Sequence, residues 1–278
     1  MSKRSTIAFA AVLLGLVGVI VWGIVREREP VYQGKRLSAW LEHYPILTSP
    51  AGADFYQRQA QEADEAVRQI GTNSIPTLLR KIKAIDSPLT IWFMGMASRQ
   101  NVTRTRFTPA EEWNWYAAMG FRALGSDAKQ AVPMLLEIYE SHRSDKRQQV
   151  SSAAALALGG IGLAASNAVP VLLRGATNMN LVRLREHSVR ALREIHARPE
   201  LVVPLLIGCL HDPDQSIRRY AVDGLGAYGA AASGALPALA EVLNDEDKWV
   251  RKAATNALLR ISPAAAPEGG VGTNSPGL

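Results

Sequence analysis

Five histidines, one cysteine and one adjacent pair of glutamates are the residues best suited to metal binding or acid–base chemistry, and their spacing argues against both. His43, His142, His187, His196 and His211 are scattered along the chain, and Cys209-x-His211 is the one close pairing of zinc-type ligands. A zinc site of the usual spacing needs a second such pair, and the sequence has none. Cys209 stands in the apolar run from Leu205 to Leu210, where a thiol reads as a small buried hydrophobe. Glu111 and Glu112 would supply two carboxylates. However, Thr108-Pro109-Ala110-Glu111 fits an N-cap threonine, a first-turn proline and an N3 glutamate, so a capping box accounts for Glu111. There is no phosphate-cradling Gly-Lys loop, nucleophile elbow or His-Glu-x-x-His helix. The expectation is a non-catalytic chain without metal or cofactor.

The elements around these residues are helical. The 278 residues are 47% hydrophobic but only 6% aromatic, with alanine and leucine supplying most of the apolar surface, as closely packed helices require. A net charge of +6, of which residues 1–30 hold four basic against two acidic side chains, is too weak and dispersed for a nucleic-acid binder. A single cysteine permits no disulfide within the chain.

Residues 7–25 carry no charge and follow a short basic head, 1–6, that contains Lys3 and Arg4. Nineteen helical residues at about 1.5 Å each cover roughly 28 Å, the thickness of a bilayer core, so a transmembrane anchor is expected. The run is longer than a signal-peptide core and lacks an Ala-x-Ala site, which favours an uncleaved anchor, and a short basic head followed by an apolar run, the order of a secretory signal, would leave the remaining chain outside the cytoplasm. Ala11-x-x-x-Gly15 would let two such helices pack, giving a weak self-association.

Beyond the anchor the sequence repeats an apolar-Gly step that ends one helix, then an apolar-Pro step that opens the next. The steps are Ile70-Gly71 to Ile75-Pro76, Leu124-Gly125 to Val132-Pro133, Ile161-Gly162 to Val169-Pro170, Ile195-His196 to Val203-Pro204 and Tyr228-Gly229 to Leu236-Pro237. A last unit reaches Ile261 and breaks at Pro263. Pro133, Pro170, Pro204 and Pro237 are spaced by 37, 34 and 33 residues, the length of two helices and two turns. Glycine past a helix end takes the left-handed conformation, and proline in a first turn needs no amide partner. Asp54, Thr108, Asp145, Met179, Asp212 and Asp245 stand where each first helix should begin, and all but Met179 are N-cap types. Second helices carry paired leucines and first helices carry small residues, so each pair leaves an apolar face that its neighbours must cover.

This pattern resembles the HEAT-repeat family, in its short bacterial-type units. The likeness is strongest at Asp212, Ile217, Arg218, Ala221, Leu225 and Gly229, and again at Asp245, Val250, Arg251, Ala254, Leu258 and Ile261. Arg185 keeps the arginine slot, whereas Ala60, Asn114 and Ser151 depart from it. The resemblance implies an all-α solenoid, a HEAT-like superhelix of about six helix pairs over residues 54–262, behind the N-terminal transmembrane helix. Residues 26–53 form a linker whose Leu37, Trp40, Leu41 and Tyr44 share one helical face and cap the first repeat, as similar stretches do ahead of HEAT arrays in membrane-anchored bacterial proteins. The tail, 263–278, is rich in Pro, Gly, Ser and Asn and is expected to be disordered.

Function follows from the resemblance only as a class: a membrane-tethered scaffold that binds another protein. The alternatives are a HEAT-like enzyme, of the phycobilin lyase or DNA glycosylase type, and a module for polyanions or lipid headgroups. The period fails once, because Pro76 to Pro133 spans 57 residues, some twenty too many. The surplus at about 84–107 is expected as a loop on the binding face. Trp92, Phe93, Arg99, Arg104 and Arg106 lie within it and Trp113 and Trp115 follow, with Arg80, Lys81 and Lys83 just before. Aromatics interleaved with cations are the residue types of interaction hot spots, so these are the candidate partner-binding residues.

Overall fold

Gln33 and Gly34 both take positive φ, 48° and 76°, which folds Val31–Tyr32 (β1) back on Lys35–Arg36 (β2) as a two-residue antiparallel hairpin. The computed structural model describes residues 29–45, 53–99, 108–141 and 148–262. The expected anchor at 7–25, the tail at 263–278, and Arg104, Arg106, His142 and Asp145 lie outside the described residues, as do the side chains of Asp54, Phe93 and Arg99. After the hairpin comes Leu37–Leu41 (α1), whose first turn is capped from a distance: Ser38 N–H donates to Glu29 Oε2 at 3.2 Å. Leu37, Trp40, Leu41 and Tyr44 are all buried, and Tyr44 donates to Asp64 Oδ1 at 2.7 Å, which ties this segment to the chain that follows.

The helices that follow are Ala53–Ile70 (α2), Ile75–Ile82 (α3), Pro88–Arg99 (α4), Ala110–Leu124 (α5), Val132–Ser141 (α6), Gln148–Ile161 (α7), Val169–Ala176 (α8), Val182–Ile195 (α9), Pro199–Cys209 (α10), Gln215–Tyr228 (α11), Leu236–Val242 (α12) and Lys248–Ile261 (α13). This is an all-α, solenoid-like stack. First helices α2, α5, α7, α9, α11 and α13 lie side by side in that order, and each second helix rests against the first helix of the following unit. One apolar core runs the whole way, through Leu78, Phe121, Leu158, Leu192, Leu225 and Ala254. Small residues set the spacing: a Cβ at Gly160 would stand 2.7 Å from Arg122 Cα, and one at Gly226 would stand 3.0 Å from Ala257 Cα.

The punctuation behaves largely as its chemistry demands. Gly71, Gly125, Gly162 and Gly229 all take positive φ at helix ends, and His196 takes 51° in the same role. His196 stacks on Tyr228 with ring centroids 4.4 Å apart. Pro76, Pro133, Pro170 and Pro237 occupy the second positions of α3, α6, α8 and α12. Three expectations change. The described residues hold five helix pairs and a single closing helix, α13, in place of six pairs. Pro204 lies inside α10 and does not open it, because Pro199 starts that helix five residues earlier. Asp212 and Asp245 are not the N-caps, since Asp214 accepts from Ser216 and Ile217 N–H and Asp247 accepts from Trp249 and Val250 N–H.

What Asp212 and Asp245 do is join units. Arg185 donates Nε to Asp212 Oδ2 at 2.9 Å and Nη2 to Oδ1 at 3.1 Å, while its Nη1 reaches the carbonyls of Asn178 and Met179. Arg218 repeats this on Asp245 at 2.8 and 3.0 Å and holds the carbonyls of Asp212 and Pro213. Arg251 Nη1 holds the carbonyls of Asp245 and Glu246. In the N-terminal half neutral groups take over the slot. Asn114 Nδ2 donates to the carbonyls of Lys81, Ile82 and Ala84, and Ser151 Oγ donates to that of Tyr139.

Candidate partner-binding site

The excess residues between α3 and α5 leave and re-enter the array at one point. Ala84 O accepts from Asn114 Nδ2 at 3.1 Å, and Asp86 Oδ2 accepts from Ala110 N–H at 2.9 Å, so the base of the excursion is pinned on both sides. Ala110 is the first residue of α5, and this bond from Asp86 takes the place of the expected capping box: Pro109 is the N-cap by backbone angle, and Glu111 instead pairs with Arg183 at 2.8 Å. The insertion is not the expected loop throughout, because 88–99 form α4. Ser87 Oγ accepts from Thr90 N–H at 3.1 Å and Pro88 opens the helix, a cap-plus-proline signal that is plain in the sequence once the helix is known.

Helix α4 exposes three of its apolar residues. Leu89 is 70% exposed, Ile91 59% and Trp92 56%. The flanking cations are partly committed elsewhere. Arg80 lies 3.6 Å from Glu29, and the ammonium of Lys81 sits 3.1 Å from the centre of the Trp113 ring. Trp113 also meets Tyr116 edge-on at 5.8 Å. Trp113 and Trp115 turn to different neighbours, so they do not form one patch. Both are partly buried and packed against the core.

Trp115 lines an open cleft of about 160 Å³ between α5, α7 and α9. Asn114, Trp115, Ser152 and His187 line it, and Glu111 and Arg183 stand at its edge. Trp115 Nε1, Asn114 Oδ1 and Ser152 Oγ are buried without a hydrogen-bond partner. Of these three residues the sequence marks Trp115 as a partner-binding candidate and Asn114 as a departure from the arginine slot.

The histidines serve separate local contacts. His43 lies 3.5 Å from Glu62 and edge-on to Trp40, and His187 Nδ1 is 2.6 Å from Arg183 O. Cys209 is buried, which pushes its thiol up to about 11 with the Asp212 charge adding to it, whereas His211 is exposed. Burial likewise raises the Tyr228 phenol to about 12, and its O–H donates to Ala197 O at 2.9 Å. Among the described residues no three His, Cys, Asp or Glu side chains gather where they would hold a metal ion.

The Arg218–Asp245 link and the Arg251 slot fall within one stretch that known proteins share. Residues 202–268 match the HEAT-repeat family. No curated protein matches the chain. A solved structure described as a crystal structure of an engineered protein is similar at 19% identity, over 80% of this chain and 96% of that one, with a TM-score of 0.42.

Proposed function

We propose that the chain is a non-catalytic scaffold that holds a partner protein on its helical array, tethered to a membrane through residues 7–25 with the array on the extracytoplasmic side. The observation that carries the binding reading is α4, which displays Leu89, Ile91 and Trp92 on an excursion whose base is closed by Asp86 and Asn114. Exposed apolar side chains gathered on one short element mark an interaction surface. HEAT-type arrays, stacked unit on unit, act as extended platforms for other proteins. In this reading Trp92 and Phe93 are the anchors, and Arg99, Arg104 and Arg106 steer an acidic partner toward them.

One contact favours a second reading. Glu29, just past the apolar run, reaches Arg80 at the end of α3 at 3.6 Å, so α4 begins a few residues from where the chain would leave a bilayer. An apolar helix beside basic residues at that depth would lie among anionic headgroups. A photoreactive residue placed at position 92 in living cells separates the two. A discrete protein adduct that disappears in the Arg99, Arg104 and Arg106 to serine variant supports the scaffold. Adducts to lipid alone favour the membrane-surface reading, and no adduct of either kind removes α4 as the site. Protease added to spheroplasts tests the tether: degradation of the array supports the proposed side, and protection until the membrane is lysed reverses it.

A further inference from the structure

Every first helix up to α11 is covered on the side that faces the next unit, and one register position marks the contact. A Cβ at Gly159 of α7 would stand 3.0 Å from Ala191 Cα of α9, and a Cβ at Gly226 of α11 would stand 3.0 Å from Ala257 Cα of α13. Asp214 and Asp247 cap α11 and α13 alike, so Gly226, twelve residues past the first cap, corresponds to Leu259, twelve past the second. Among the described residues no helix follows α13, and Leu259 is 41% exposed where a following unit would cover it.

The array therefore ends on an open stacking face. Trp249, Lys252, Asn256 and Leu259, spaced by three, four and three residues, run down it as one exposed stripe, the spacing at which a helix meets a neighbour laid alongside. Trp249 is 54% exposed, and the ammonium groups of Lys248 and Lys252 stand 5.2 and 5.8 Å from the centre of its ring. The outer face of a terminal repeat is ordinarily polar, so a large aromatic and a leucine on it call for a partner.

Charge decides which partner fits. Helix α13 holds Lys248, Arg251, Lys252 and Arg260 and no Asp or Glu. Arg251 is committed to the carbonyls of Asp245 and Glu246, whereas Lys248, Lys252 and Arg260 are exposed beside the stripe. The acids just before the helix are engaged, Asp245 and Glu246 with Arg218 and Asp247 with the N–H groups that it caps. A second copy of this face does not fit it. An antiparallel pairing that brings Trp249 to Leu259 also brings Lys248 to Arg260, and a parallel pairing sets Lys252 beside its own copy, so either juxtaposes like charges.

We propose that the open face of α13 docks an acidic amphipathic helix of another protein, laid where a further first helix would stack, with its apolar seam on Trp249 and Leu259 and its carboxylates on Lys248, Lys252 and Arg260. This surface is distinct from α4, which leaves the array near its other end, so the inference goes beyond the scaffold reading above and does not rest on it. The test uses the full chain in micelles of an uncharged detergent, ¹⁵N-labelled at tryptophan, with the Trp249 indole resonance assigned by Trp249→Phe. The probe is a blocked peptide of three Glu-Leu-Ala-Ala-Leu-Glu-Glu heptads, whose leucines repeat at the spacing of the stripe. A peptide of the same composition in a scrambled, non-amphipathic order and vesicles of phosphatidylglycerol are the comparisons. The heptad peptide should shift the Trp249 signal saturably and leave Trp92 in place. Lys252→Glu and Leu259→Ser, each checked by circular dichroism for unchanged helicity, should each weaken the binding measured by calorimetry about tenfold. A Trp249 signal that moves with protein concentration alone would put a second copy on the face, and a response to the vesicles without one to the peptide would put a lipid surface there; either overturns the proposal. So would no response to the heptad peptide, an equal response to the scrambled one, or undiminished binding by either variant. The crosslink at position 92 reads α4 separately, so a failure here leaves the scaffold test standing.

Discussion

Arg185 and Asp212, 27 residues apart, meet through two parallel hydrogen bonds of 2.9 and 3.1 Å with only 3% and 6% of their side chains exposed. Arg218 and Asp245 repeat the contact one unit later at the same separation. Each arginine therefore closes its own inter-helix turn with Nη1 and grips the next unit with the other two nitrogens. Bidentate geometry and full hydrogen bonding are what let a buried pair offset its desolvation. The same Asp212 and Asp245 Oδ1 atoms also accept the N–H of Asp214 and Asp247, which presents those residues as N-caps.

Removing one partner should cost much more than removing both. Arg185→Met strands a buried carboxylate and is expected to destabilise the array by about 3–5 kcal/mol. The double variant Arg185→Met with Asp212→Leu should recover a substantial part of that loss. Urea unfolding followed by circular dichroism measures the cycle, and simple additivity of the two single changes would show that the pair is not coupled.

Asp245 makes the C-terminal units acid-sensitive. Burial pushes its carboxyl up, but the Arg218 fork, the Asp247 N–H and the charges of Arg218 and Arg251 outweigh that, and the folded value lies below the ordinary 3.8. With the folded value depressed, the unfolded chain binds more protons, so the contribution is complete above the ordinary carboxylate range and is lost as pH falls through the folded value. Asp245→Asn should thus be less stable at pH 7 and show a flatter decline in acid. Parallel pH profiles of urea midpoint for the two chains would contradict this.

The periodic parts of this fold were legible because each slot has one chemical job. Gly125 and Gly162 end helices at positive φ, Pro133 and Pro170 sit in first turns, and Arg218 and Arg251 fill their slots, all as spacing required. What spacing missed was substitution of one chemistry for another. Asn114 looked like a break in the arginine ladder, yet its Nδ2 makes the carbonyl contacts that arginine makes elsewhere. Asp212 looked like a cap because capping and charge pairing favour the same residue type, and only the partner 27 residues away distinguishes them. The candidate site was legible as an insertion but not as surfaces. Trp113 and Trp115 differ by two positions, which on a helix points them apart, and the polar cleft beside Trp115 needs three helices to exist at all.

The close approach of α5 and α7 should be intolerant of any side chain at its narrowest point. A Cβ at Gly160 would stand 2.7 Å from Arg122 Cα and 3.0 Å from its backbone nitrogen, and backbone cannot swing aside as a side-chain tip does. Gly160→Ala is therefore expected to destabilise by about 1–3 kcal/mol although alanine is the better helix former. Gly208→Ala, in α10 with nothing within 4 Å of the added carbon, is the control and should be neutral or slightly stabilising. Equal thermal midpoints for the two variants would mean that the helices separate without cost.

The insertion should be removable without loss of the array. Asp86 and Ala110 are joined directly by a 2.9 Å hydrogen bond although 24 residues separate them, so the chain on either side of the excursion is already held in place. Asn114 ties the same junction to the end of α3 through three carbonyls, none of which belongs to the excised segment. Replacing residues 87–107 with a short Gly-Ser linker closes a much smaller loop, and loop-closure entropy changes only slowly with length. Helicity should fall only by what α4 contributes, and the urea midpoint should stay within experimental error of the parent. If the excised chain unfolds, α4 is part of the core and its exposed Leu89, Ile91 and Trp92 are not its purpose. If it folds and still takes a crosslinked partner through a photoreactive residue on α3, the docking surface lies on the array itself.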